Sequence, residues 1–122
     1  MILELLWNMI PATVKPRFIG DIPSASDEGV SLTAEGSSEI ARYFNPTCRI
    51  VSQNVVCNIR TKKYTTGAKF LDLVKKALDS KSNEDEGILS ITLQSSDDYL
   101  GINEEKLHEF QIIFKALVKE DI

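Results

Sequence analysis

The chain has little of what disulfide-stapled or metal-dependent domains rely on. Of its 122 residues, two are cysteine, one is histidine and one is tryptophan. Cys48 and Cys57 are too few for a disulfide framework or a four-ligand zinc site, and His108 alone does not complete the set. No cofactor and no metal is expected. The one Asn-x-Thr sequence, Asn45-Pro46-Thr47, has proline in the middle position, which disqualifies it as a glycosylation acceptor. Long apolar runs are missing as well. Residues 1–10, MILELLWNMI, are interrupted by Glu4 and Asn8 and halted by Pro11, well short of the ~20 residues a membrane span needs. They also lack the basic flank and small-residue cleavage site of a secretory signal. The run is expected to be a core element, with no membrane partner and a cytoplasmic location. The sequence holds no glycine-rich phosphate loop, no Gly-x-Ser-x-Gly elbow and no His-Glu-x-x-His.

What is present is ordinary for a globular protein: 43% hydrophobic and 26% charged residues, in a length that suits a single domain over residues 1–122. The net charge of −4 is unevenly spread: −2 over residues 1–59, +5 over 60–81 and −7 over 82–122. An acidic chain of this kind is disfavoured as a nonspecific nucleic-acid binder.

Residues 12–20 predict a strand, which Pro16 pushes to a sheet edge because proline cannot donate to a ladder. Val30-Ser-Leu32 predicts a short alternating stretch. Ser37 to Phe44 predicts a brief helix, with Ser37 as its cap and Asn45-Pro46 ending it. Residues 48–52 and 55–60 predict a hairpin turning at Gln53-Asn54. That turn would put Cys48, Ile50, Val55, Cys57 and Ile59 on a buried face, and Arg49, Asn58 and Arg60 on the other. Residues 68–79 predict an amphipathic helix from the spacing of Phe70, Leu71, Val74 and Leu78. Residues 88–93 alternate as a half-buried strand. Asn103 predicts the cap of a last helix, with Glu104 and Glu105 at its positive end. Leu107, Phe110, Phe114, Leu117 and Val118 would form its buried stripe, with His108 outside. The fold class expected is α+β: a mainly antiparallel sheet of four to five strands with two main helices packed on one face.

Candidate chemistry is thin. The loop Ser82-Asn-Glu-Asp-Glu-Gly87 has a glycine where a calcium loop places one, but its first and twelfth positions, Ser82 and Leu93, lack the needed carboxylates. A cysteine–histidine pair is disfavoured because both cysteines fall on the predicted buried face, whereas a reactive thiol wants an electropositive, partly exposed setting. The basic segment Arg60-Thr-Lys-Lys63 beside Tyr64 reads as a solvated strand end, and Lys62 and Lys63 as guards of a sheet edge. That leaves the acidic C-terminal third. Glu84, Asp85, Glu86, Asp97, Asp98, Glu104 and Glu105 form a candidate negative face for a basic protein partner, with Tyr99 as its aromatic anchor and Trp7 as a more distant one. The function expected is non-catalytic protein binding, as an acidic immunity-type inhibitor covering the active site of a basic toxin or nuclease. The alternative is a structural or regulatory subunit docking in a larger assembly or homodimer.

Overall fold

The apolar N-terminal run folds as helix α1 (Ile2–Met9), whose Leu3, Leu6 and Trp7 are buried together with Ile10 just beyond it. The structure, a computed structural model, describes residues 2–23, 27–42, 48–94 and 99–121. A helix this short leaves several C-terminal carbonyls without intrahelical partners. Arg17 serves one of them and the turns that follow: its guanidinium donates to the carbonyl of Trp7 in the helix and to those of Ile10, Pro11 and Val14 beyond it, at 2.5–2.9 Å. The same cation sits 4.7 Å from the Trp7 ring centroid, and Trp7 Nε1 donates to the Phe18 carbonyl at 3.3 Å.

Four long or medium elements follow the short strand β1 (Arg17–Ile19): strands β2 (Gly29–Arg42) and β3 (Cys48–Thr61), helix α2 (Tyr64–Leu78) and strand β4 (Ile88–Leu93). The chain closes with β5 (Tyr99–Ile102) and β6 (His108–Asp121). The six strands form one sheet in the order β1-β2-β3-β6-β4, with β5 also on β6. β1 runs parallel to β2, and the other pairings are antiparallel. The class is α+β with a mixed sheet, which corrects the expectation of a mainly antiparallel one.

Register decides the two faces. Rows Leu32–Cys57–Ile112 and Val30–Ile59–Phe110 cross three strands and are fully or almost fully buried. They join Leu71, Val74 and Leu78 of α2 and Leu3, Leu6 and Trp7 of α1 in one core cluster. Each such aliphatic or aromatic side chain contributes about 1.5–3 kcal/mol on full burial. The alternate rows, Ser31–Asn58–Gln111 and Gly29–Arg60–Glu109, belong to the other face of the strands. Gln111 Nε2 donates to Asn58 Oδ1 at 3.0 Å across that face.

Several local expectations give way to strand pairing. Residues 37–42 continue β2 instead of starting a helix at Ser37, because they pair with residues 49–53 of β3; positions 43–47 lie outside the described residues. β3 is a single strand without a turn at Gln53-Asn54, since those two residues pair with Ala116 and Lys115 of β6. Unbroken alternation keeps Val55, Cys57 and Ile59 together but moves Ile50 to the opposite face, and Val51 takes its place in the buried set. The cysteines are nine residues apart on one strand, about 30 Å at the usual strand rise. Residues 108–121 form β6, not a helix: Phe110, Ile112, Phe114 and Ala116 are buried at period two, and β3 pairs along the whole strand. Of the two main helices expected, only the one around residues 68–79 is helical, starting earlier, at Tyr64. The strand expected over residues 12–20 is confined to β1, which does occupy a sheet edge. Lys62 and Lys63 guard no edge, because β3 lies between β2 and β6.

Candidate functional site: an acidic cleft beside an aromatic cluster

The connection from β5 to β6 is a tight turn built on Asn103. Its Oδ1 accepts from the backbone N–H groups of Glu105 and Leu107 at 2.9 and 3.0 Å. Its N–H donates to the Leu107 carbonyl, and its carbonyl accepts from Lys106, which adopts a left-handed φ of 63°. This is the chemistry foreseen for a helix cap, used here to close a hairpin. Asn103 Nδ2 also donates to Glu109 Oε1 at 2.8 Å, which fixes that carboxylate at the start of β6.

On the core side of this end, four rings meet. Tyr99 and Tyr64 lie 5.1 Å apart at 84°, Tyr99 and Phe110 are 5.1 Å apart, and Tyr64 and Phe110 5.5 Å. The Tyr99 hydroxyl is 2.9 Å from His108 Nδ1. His108 is thus held in a ring cluster on a strand, and is not on the solvent side of a helix. Tyr64 comes from the first turn of α2, which approaches the sheet closely through Gly67. A Cβ at Gly67 would meet Phe110 Cε1 at 2.2 Å and Thr61 Oγ1 at 2.6 Å. The outer edges of the cluster remain open: Tyr99 is 41% exposed, Tyr64 47%, Leu100 57% and Ile102 60%.

On the other face of the sheet lie two adjoining depressions. One, of about 210 Å³, is lined among others by Asp21, Ile22, Ser31, Asn58, Arg60 and Glu109. The second, of about 360 Å³, shares Ile22 and Arg60 and adds Asn103, Glu104 and Glu105. Together they place Asp21, Glu109, Glu104 and Glu105 around one cation, Arg60, among the described residues. Ser31 is completely buried at the base of the first depression, and its hydroxyl has no hydrogen-bond partner. An unpaired buried hydroxyl costs stability unless something arrives to pair with it.

The residues proposed from sequence as one negative face are divided. Tyr99, Glu104 and Glu105 are brought to this end. Glu84, Asp85 and Glu86 form a 3₁₀ turn at the other end of β6. Ile88, just after that turn, pairs with Val118, whereas Ile102 pairs with His108, which separates the two groups by roughly 33 Å of strand. Asp97 and Asp98 lie outside the described residues. Trp7 is buried and engaged with Arg17 and Phe18, so it is a core residue and not an anchor. Asp21, Ser31 and Glu109 were not singled out from sequence. Ser31 and Glu109 are polar members of an apolar–polar alternation, and only the register of β2, β3 and β6 shows that they converge; Asp21 joins them from the loop after β1. Cys57 is fully enclosed, and burial pushes its thiol up to about 12, which suits a core thiol and not a nucleophile. Among the described residues no three of His, Cys, Asp and Glu gather as a metal site. Also among them, no helix is long and apolar enough to cross a membrane.

No protein-family model matches the sequence, and no curated protein matches it. A solved structure is similar in fold: a chain of the virion of a native gene transfer agent particle, with a TM-score of 0.64 and 9% sequence identity, covering 93% of this chain and 91% of that one. At that identity the likeness is one of fold. It corrects the expectation of an immunity-type toxin inhibitor, for the fold is shared with a component of a particle.

Proposed function

We propose that this chain is a structural subunit of a multi-chain particle and acts by docking, without catalysis of its own. The observation that carries this is the extent of the likeness to the gene transfer agent chain, which spans more than nine-tenths of both molecules. A shared whole domain, with no large insertion on either side, is what a common architectural role would leave behind. The surface fits that role. Leu100 and Ile102 project from a short strand at the margin of the sheet, and exposed apolar groups rimmed by charge mark protein contact sites. A native lysate fractionated on a density gradient tests the proposal. The chain should sediment with particle-sized material and leave it only on disruption of the particles. Recovery solely in the slow fraction, at the 13.6 kDa of a free chain, would overturn it.

A further inference from the structure

The acidic cleft has a complementary surface on the same molecule. Lys69 and Lys76 of α2 are both exposed, and a spacing of seven residues sets them on one side of the helix, about 10 Å apart. Asp72 lies between them and pairs with Lys76 at 2.9 Å in a solvent-exposed contact, which is weak and readily exchanged. Lys75 adjoins Lys76, and residues 64–78 as a whole carry +2. α2 joins the core with Cys57 and Ile59, whereas the cleft residues Asn58 and Arg60 alternate with those two on β3 and so belong to the opposite face. One side of the molecule is therefore a cationic ridge, and the other holds a carboxylate-rimmed cleft with an unsatisfied hydroxyl at its base.

We propose that the cleft bounded by Asp21, Ser31, Glu104 and Glu109 receives a lysine of the α2 ridge of a second copy of this chain, in a head-to-tail contact. The proposal rests on the subunit reading given above. An ammonium group carries three donors and no acceptor, so it suits a cleft where the carboxylates of Asp21, Glu104, Glu105 and Glu109 outnumber the one guanidinium, that of Arg60. Because ridge and cleft are different surfaces, the contact is heterologous, and each copy keeps one of each free for the next. Repetition of such a contact builds rings or filaments, which is the geometry a particle subunit needs.

Charge exchange tests it. One variant reverses the cleft (Asp21→Lys with Glu104→Lys) and another reverses the ridge (Lys69→Glu with Lys76→Glu). All four positions are exposed, and circular dichroism and thermal melting of each variant check that it folds. Light scattering on the wild-type chain should give a mass above 13.6 kDa that falls with added salt. Each variant alone should associate at least about tenfold more weakly. An equimolar mixture should recover the wild-type mass, because every reversed cleft then meets a reversed ridge and every native cleft a native ridge. Variants that keep the wild-type mass, or a mixture that stays monomeric, would overturn the contact. A wild-type chain that remains at 13.6 kDa at all concentrations would overturn it as well, while co-sedimentation with particles would still stand or fall separately.

Discussion

The two ends of β6 are built from the same acidic third of the sequence, yet they solve opposite problems. At the Val118 end the chain closes on itself. Asn83 and Ile88 exchange backbone hydrogen bonds, Ser80 donates to Ile91 and Ile91 to Lys81, Lys119 donates to Gly87, and Asp79 Oδ1 accepts from Leu93. Ile88 and Ile91 are buried beneath this knot, while Glu84, Asp85 and Glu86 remain in water on its outside. At the His108 end the turn of Asn103 is equally well bonded, but side chains are left unspent: Leu100 and Ile102 outward, Tyr64 and Tyr99 half open, and Ser31 unpaired in its cleft. Negative charge is common to both ends and so distinguishes neither. What distinguishes them is exposed apolar area and an unsatisfied polar group, the features that association can improve.

The contrast can be broken most forcefully at the closed end. Ile88→Ala should cost about 2–5 kcal/mol, read as a lowered urea midpoint, because it empties a fully enclosed site; the equivalent truncation at exposed Ile102 should leave the midpoint almost unmoved. Equal losses at the two positions would erase the distinction. Next in size is Gly67→Ala, which sharpens the picture of how α2 meets the open end. The added methyl has no room against the Phe110 ring, so a loss of about 1–3 kcal/mol is expected despite alanine's better helix propensity. Smallest is Tyr99→Phe, which removes only the hydroxyl bonded to His108 at a partly exposed site. It should cost about 0.5–1 kcal/mol and move the His108 ring resonances in an NMR spectrum at fixed pH, whereas no such change should follow Ile88→Ala.

Much of the architecture was legible where a pattern had one interpretation. Leu71, Val74 and Leu78 recur only as a helix does, and Pro16 confined its strand to an edge. Ambiguity arose where two periods fit the same residues. Phe110, Phe114, Leu117 and Val118 follow helical spacing, yet Phe110, Ile112, Phe114 and Ala116 follow that of a strand. The fourteen-residue partner β3 settles the choice, and no local window contains it. Asn103 reinforced the error, because a side-chain oxygen accepting two backbone N–H groups serves a helix cap and a hairpin turn alike. Gln53-Asn54 has turn chemistry but sits mid-ladder, where pairing on both sides overrides it. The candidate site was half legible for the same reason. Glu104 and Glu105 are neighbours in sequence and line one depression, whereas Ser31, Asn58 and Glu109 converge only through strand register.

Hydrogen–deuterium exchange on the assembled chain against the free one tests most directly the claim that the His108 end is the docking surface. Residues 99–110 should gain protection on assembly, and residues 80–91, already closed by their own backbone bonds, should not change. Protection gained at residues 80–91 with none at 99–110 would contradict the account.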